Sequence, residues 1–222
     1  MAIRVDPIRC LAVPRPGGGE RTMARLSARD RAEWAALAGR IAPLVERLLP
    51  AAVVADRAVP DRDGWRLAPM RPALLRARRA AKALARLGEV IATDVEDFFA
   101  SVRPEVLETA LLDVGAPRQD AAGAAAMVDG WAAHGHRGLP VGPAASSILA
   151  NAVLLPVDLS LSPRAFLRWV DDYLLPAEHP LERFDEALAA VGLRRSTRKT
   201  VRGIAGVWRP PYPVRGSGRA SA

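Results

Sequence analysis

Three aspartates carry the chemistry this sequence offers. Asp171 and Asp172 are adjacent in the run Phe166-Leu-Arg-Trp-Val-Asp171-Asp172-Tyr-Leu-Leu175, and Asp94 ends the stretch Glu89-Val-Ile-Ala-Thr-Asp94. Aspartate is a poor strand former and a good turn former, so the first run reads as a tight hairpin with both acids at its tip. Carboxylates fixed side by side on a stiff hairpin repel each other unless a cation lies between them. Taken alone, such a pair is more often a solvated turn than a site, because short motifs match by chance. The elements around it decide whether a third acid is brought alongside.

Their order does so. Residues 89–94 read as a buried strand that delivers an acid at its end, followed by helices at 104–114 and about 118–133. His134 and His136 follow as loop residues, with no partner at metal-ligand spacing. The glycine-proline loop Gly138-Leu-Pro-Val-Gly142-Pro leads into a helix through Ser146, Ser147 and Asn151 that runs to about Leu159. After the double-acid hairpin come an amphipathic helix at 180–191, closed by Gly192, and a short apolar strand at 201–208. A β-α-β-β-α-β order is the ferredoxin-like split arrangement, whose antiparallel sheet makes the first strand and the hairpin neighbours. We therefore expect an α+β fold with Asp94 beside Asp171 and Asp172. Three such carboxylates would suit two Mg²⁺ ions, or Mn²⁺ in their place.

Upstream, Ser27 begins a helix with Asp30 as its capping-box partner, and Trp34, Leu37, Ile41, Leu44, Val45 and Leu48 form its apolar stripe up to Pro50. A strand at 51–59, the turn Pro60-Asp-Arg-Asp-Gly64 and the return Trp65-Arg-Leu67 read as a small hairpin carrying Arg57 and Arg66. In the helix expected over 72–87, Leu74, Leu75, Ala80, Leu84 and Leu87 are available for burial. Arg76, Arg78, Arg79, Lys82 and Arg86 take the other faces, either as a solvated surface or as a grip on a nucleic-acid backbone. Residues 1–26, with Pro14, Pro16 and Gly17-Gly18-Gly19, read as a mobile lead-in, and 209–222 as a disordered tail.

With 222 residues, 50% of them hydrophobic and 25% charged, the chain has the composition of one large soluble domain. No apolar run is expected to approach the roughly 18 residues of a membrane span, and the Arg-dotted N-terminus has no signal-peptide h-region, so the expected location is cytoplasmic, with no membrane partner. Cys10 is the single cysteine, which excludes an internal disulfide and a thiolate metal cluster. The net charge of +8 divides into +9 over residues 1–90, −9 over 91–192 and +8 over 193–222. Basic ends suit a polyphosphate partner and an acidic middle suits divalent metal. A general arginine bias, 30 Arg against 2 Lys, explains the arginines but not their scarcity in the middle. Against that bias Lys199 stands out, since a lysine is a point donor whose pKa can be tuned.

In these residues the chain resembles the reverse transcriptases, over about residues 51–205. Asp94-Val-Glu-Asp-Phe98-Phe99 looks like the first palm motif, and Trp169-Val170-Asp171-Asp172 matches the aromatic-x-Asp-Asp box. Gly138-Leu-Pro-Val-Gly142-Pro is similar to the motif beneath the templating base, and Gly192-Leu193 with Lys199-Thr200 looks like the lysine motif that follows. Gly64-Trp65-Arg66-Leu67 is similar to the fingers segment, a weaker match. Val141 departs from the common pattern, which has glutamine there, and Gly142-Pro143 is the variant of bacterial defence-type and unclassified members.

The resemblance implies a right-hand palm over 91–208, a ferredoxin-like antiparallel sheet with helices, preceded over 27–90 by a helix and reduced fingers, with little or no thumb. It implies a Mg²⁺-dependent nucleotidyltransferase that adds dNTPs to a primer 3′-hydroxyl. Asp94, Asp171 and Asp172 would hold the metals with the Val95 carbonyl, and Lys199 would assist at the phosphates. Arg66, Phe98, Phe99 and Gly142 would line the nucleotide, Phe99 as the deoxyribose gate and one phenylalanine of the pair as core. Arg76, Arg79 and Lys82 would contact nucleic acid. The partners implied are an RNA template, a DNA or RNA primer, and a second protein or second copy in place of the thumb. Two other readings are template-independent or protein-primed DNA synthesis in phage defence, and a non-catalytic palm that binds nucleic acid or a partner.

Overall fold

The computed structural model describes residues 3–14, 19–62 and 64–204. Its architecture is mixed α/β, with small antiparallel sheets and helices packed around them. The chain opens with β1 (Arg9–Pro14) and β2 (Glu20–Arg25), paired antiparallel from Arg9↔Arg25 to Pro14↔Glu20. Within the stretch expected to be a mobile lead-in, residues 9–14 and 20–25 are therefore two paired strands. Pro16, Gly17 and Gly18 lie outside the described residues, as does the tail expected at 209–222.

Helix α1 (Ala28–Glu46) begins where expected, with the Ser27 hydroxyl accepting from Asp30 N at 3.1 Å. The reciprocal half of a capping box is absent. The buried Asp30 carboxylate instead accepts from Asp6 N at 2.7 Å and Trp131 Nε1 at 3.4 Å, tying the N-terminal segment to the core. The second hairpin is shorter than expected, β3 (Ala58–Asp61) with β4 (Gly64–Leu67). Residues 51–57 are not a strand of it. Their backbone leans on Arg168, through Arg168 N to Ala52 O at 2.9 Å and Val54 N to Arg168 O at 3.1 Å.

Helix α2 (Met70–Leu87) and strand β5 (Val90–Asp94) follow, then α3 (Phe98–Ser101), α4 (Pro104–Asp113), α5 (Arg118–Ala133) and α6 (Ala144–Leu161). The hairpin is β6 (Leu167–Trp169) and β7 (Asp172–Pro176), and α7 (Leu181–Ala190) and β8 (Val201–Gly203) complete the order. The main sheet runs β6-β7-β5-β8 with every neighbouring pair antiparallel, which makes β5 and the hairpin neighbours as the element order requires.

Alternation along the strands divides the core. Val90, Ala92, Leu167, Trp169 and Leu174 pack with Ala73, Leu74, Ala77 and Leu84 of α2, whereas Tyr173 and Leu175 join the larger core with α6 and with Phe184 and Leu188 of α7. Helix α6 exceeds the expected apolar length. Ala144–Leu161 is long and apolar enough to cross a membrane, with a mean hydropathy of 1.6, but 72% of it is buried within the protein. A helix packed on all sides reads as apolar all round.

Candidate active site

The pairing of β5 with β7 places Asp94 directly opposite Asp172. Directly opposed residues on antiparallel strands hold their Cβ atoms about 5 Å apart on one face of the sheet, so two carboxylates meet there. That face continues the parity of Val90, Ala92 and Leu174, and is therefore the one against which α2 packs. Asp171 occupies the turn between β6 and β7, and its carbonyl accepts from Val95 N at 3.1 Å. The backbone just past Asp94 is thus stitched to the double-acid turn. The expectation that both acids sit at the tip is adjusted by one residue, since Asp172 opens β7.

Val170 turns the chain at φ 58°, a conformation that a β-branched residue adopts only under constraint. The constraint is Arg168, 1% exposed, which donates from Nη1 to the Val170 carbonyl at 2.8 Å and to Asn151 Oδ1 at 2.9 Å. Its other nitrogens bind both oxygens of the fully buried Asp158 at 2.8–3.1 Å, and the Tyr173 hydroxyl donates to Asp158 Oδ1 at 3.0 Å. Sequence reading passed over this network because Arg168 and Asp158 each stand alone in an apolar run. A charge that interrupts such a run twice within ten residues is the signal that finds it.

Lys199 reaches the acids. Ser196 N donates to Asp94 O and Glu96 N to Arg194 O, both at 2.9 Å, so residues 194–200 run beside the end of β5. Thr93 and Thr200 share a hydrogen bond at 2.8 Å, and Lys199 Nζ donates to Asp94 Oδ2. That hydrogen bond raises the Lys199 pKa. Asp94 Oδ1 is buried with no hydrogen-bond partner. Burial pushes the Asp172 carboxyl up to about 7, with the charges of Asp171 and Asp94 adding to the effect. The Asp171 carboxyl is also raised, first by burial and then by Asp94. Among the described residues no group of three His, Cys, Asp or Glu side chains is gathered closely enough to hold a metal ion. What stands ready is the opposed pair Asp94 and Asp172, one orphaned carboxylate oxygen, and Asp171 next in the turn.

The other expected residues are placed as follows. Phe98 is core and Phe99 is half-buried, in edge-to-face contact at 5.3 Å. Leu139 N donates to the Phe99 carbonyl at 2.7 Å, and a Cβ added at Gly138 would lie 2.1 Å from that oxygen. Gly138 is thus required by a backbone contact inside the protein. Gly142 faces the side chain of Met23, which a Cβ there would meet at 2.8 Å. Ser146 accepts from Trp34 Nε1 at 3.0 Å and Asn151 donates to Asp56 O at 2.9 Å, so both serve packing. Arg57 is bound to Glu46 at 2.8 Å, and Arg66 pairs with Asp61 of its own hairpin at 3.3 Å. Neither is drawn to the acids by any of these bonds. Arg76, Arg79 and Lys82 are exposed on α2, together with Arg71, Arg78 and Arg86. That helix holds no acidic residue, and none of the six forms an ion pair among the described residues.

No family model matches this chain, and no curated protein does. Solved structures do. The structure of telomerase from Candida albicans with the TWJ fragment of telomeric RNA aligns at a TM-score of 0.55 and 12% identity, over 94% of this chain and 43% of that one. Apo telomerase from Candida tropicalis, truncated from its C-terminal domain, aligns at a TM-score of 0.53 and 11% identity, over 90% of this chain and 51% of that one. The chain therefore spans about half or less of the length of the proteins it matches. At 11–12% identity the likeness shows the fold alone, a mixed α/β architecture similar to part of telomerase.

Proposed function

We propose that this chain is a divalent-cation-dependent nucleotidyltransferase with a reverse-transcriptase-like palm, adding deoxynucleotides to a primer 3′-hydroxyl. The observation that carries the reading is the opposition of Asp94 and Asp172 across β5 and β7, with Asp171 in the adjoining turn. The fold likeness to telomerase, a reverse-transcriptase-related enzyme, supports it.

Asp94 Oδ1, buried and without a hydrogen-bond partner, would take a Mg²⁺ or Mn²⁺ ion as its partner, with Asp172 opposite it as the second carboxylate and Asp171, in the adjoining turn, reaching the ion only by turning its side chain. Bound there, such ions would lower the pKa of the attacking hydroxyl and stabilise charge on the leaving phosphate. The chain's own contribution is positional and electrostatic. The Val170 turn sets Asp171 and Asp172, and Lys199, kept as an ammonium by its hydrogen bond to Asp94, would bring positive charge to the departing pyrophosphate. Half-buried Phe99 is the surface that would exclude a ribose 2′-hydroxyl. The α2 cations, which form no ion pair among the described residues and belong to the helix packed on the sheet face that bears the acids, would bind the nucleic-acid backbone.

The test is extension of a primed RNA with labelled dNTPs in Mg²⁺ or Mn²⁺. Incorporation by wild type and none by Asp171→Ala is expected. No incorporation above that control with any template would refute the reading. One observation favours a second reading, a non-catalytic palm: the carboxylates are not gathered into a three-ligand set. That reading predicts salt-dependent RNA or DNA binding that survives removal of all three acids, with no incorporation by wild type.

A further inference from the structure

The segment that brings Lys199 to the acids is longer than the strand it runs beside. Val95 pairs with Arg195 and Ala92 with Val201, so β5 advances three residues while its partner segment advances six. The surplus forms a bulge within residues 197–200, opposite Thr93, and Lys199 sits on it. Ser196 N, donating to Asp94 O at 2.9 Å, makes the last backbone bond to β5 before the bulge, and residues 197–199 are exposed. A lysine on its four-carbon stem, carried by such a loop, has many positions open to it unless the loop is fixed.

Arg195 closes the neck of the bulge. Arg194, Arg198 and Lys199 are exposed, whereas the Arg195 side chain is turned inward and only 15% exposed. Its Nε and Nη2 donate to the two oxygens of Asp185 on α7 at 2.7 and 2.9 Å, and its Nη1 donates to Thr200 Oγ1 at 2.9 Å. The Thr200 hydroxyl donates in turn to Ser196 O at 2.7 Å and lies 2.8 Å from Thr93 Oγ1. A hydroxyl has one hydrogen and two lone pairs, so Thr93 is the donor in that contact and Thr200 is fully used. Both ends of the bulge, Ser196 and Thr200, are thereby tied to each other and to β5 beside Asp94. Through Asp185 they are tied also to α7, which Phe184 and Leu188 anchor in the core.

We propose that Arg195 is a positioning residue for Lys199: braced by Asp185, it holds Thr200 and so fixes the bulge that presents the ammonium at the acid site. A bidentate guanidinium–carboxylate pair sets direction as well as distance, and the third nitrogen passes that geometry to Thr200. With all three nitrogens engaged inside the protein, Arg195 acts through the bulge. The inference rests on the nucleotidyl-transfer reading and adds to it the device that fixes the lysine.

The experiment uses the full chain as wild type, Arg195→Ala, Thr200→Val, Thr200→Ser, Lys199→Ala, and Lys199→Ala combined with Arg195→Ala or with Thr200→Val. Arg198→Ala is the control for lost charge on the exposed bulge. Circular dichroism establishes folding, hydrogen exchange read by mass spectrometry follows residues 194–200, and single-nucleotide addition to a primed RNA in Mn²⁺ gives kcat and KM. Arg195→Ala and Thr200→Val are expected to speed exchange in the bulge and to lower kcat roughly tenfold, with KM changed less. Thr200→Ser, which keeps the hydroxyl, and Arg198→Ala should match wild type. In the Lys199→Ala background, removing Arg195 should lower kcat no further, since a residue that acts through the lysine then has nothing left to position. An equal loss in both backgrounds, unchanged exchange, or wild-type kcat in Arg195→Ala would overturn the inference while the nucleotidyl-transfer reading stands. If Arg195→Ala does not fold, Thr200→Val is judged by the same criteria. No incorporation by wild type would remove that reading and the inference with it.

Discussion

Arg168 and Asp158 form a bidentate ion pair at 2.8–3.1 Å with both side chains buried, and through it the interior of α6 grips the turn that carries the acids. Removing one partner would strand the other charge. We expect Asp158→Ala to cost about 3–5 kcal/mol, and the double replacement Arg168→Met with Asp158→Leu to cost much less, since a buried pair exchanged for apolar groups is often neutral. Urea unfolding of the three proteins reads this directly. The double variant would still lose function, because the Val170 carbonyl loses its donor and the turn its constraint.

Gly138 and Gly142 separate two uses of glycine. At Gly138, φ is 65° and a Cβ would come within 2.1 Å of the Phe99 carbonyl oxygen, so Gly138→Ala should cost on the order of 3 kcal/mol. At Gly142, the Cβ meets only the end of the flexible Met23 side chain, so Gly142→Ala should cost only about 1 kcal/mol, for its φ of 121°. Equal melting temperatures for the two variants would contradict this distinction.

The main path of the chain was legible from residue order. Three aspartates, a strand with an acid at its end and an apolar-acid-acid-apolar run were enough to place β5 beside β7, because antiparallel register has few solutions once the hairpin is fixed. What was not legible depended on long-range partners. Nothing local marks residues 9–25 as a hairpin that reaches the loop at Val141. The Asp30 carboxylate likewise chose Asp6 N and Trp131 over a local capping box, a preference set by burial. The apolar length of helix α6 was likewise not legible, since a helix buried over 72% of its residues needs little polar face.

Stability should depend on pH through Asp172. Its carboxyl is raised to about 7 in the folded protein, above its ordinary value of 3.8, so between these pH values the folded state holds more proton than the unfolded one. Stability therefore falls as pH rises through that window, by up to about 1.4 kcal/mol per pH unit for one group, and levels off above it. Asp172→Asn should flatten the slope and raise stability at neutral pH in metal-free buffer. A parallel pair of curves for wild type and variant would show that Asp172 is not the group responsible.

Phe99 is half-buried against Phe98, which leaves part of its ring open toward solvent. Replacing it by valine should spare the fold, since Phe98 carries the core packing, and should admit ribonucleotides in the extension assay. An unchanged preference for dNTPs would move the sugar gate elsewhere.

Nucleotidyl transfer as proposed depends on a divalent cation held by Asp94 and Asp172 together. Calorimetric titration of Mn²⁺ into wild type, Asp94→Asn, Asp172→Asn and, as a control on exposed α5 surface, Asp129→Asn tests it most directly. We expect saturable binding in wild type and Asp129→Asn, weakened at least about tenfold in each of the other two. Equal binding in all four proteins, or none in wild type, would contradict it.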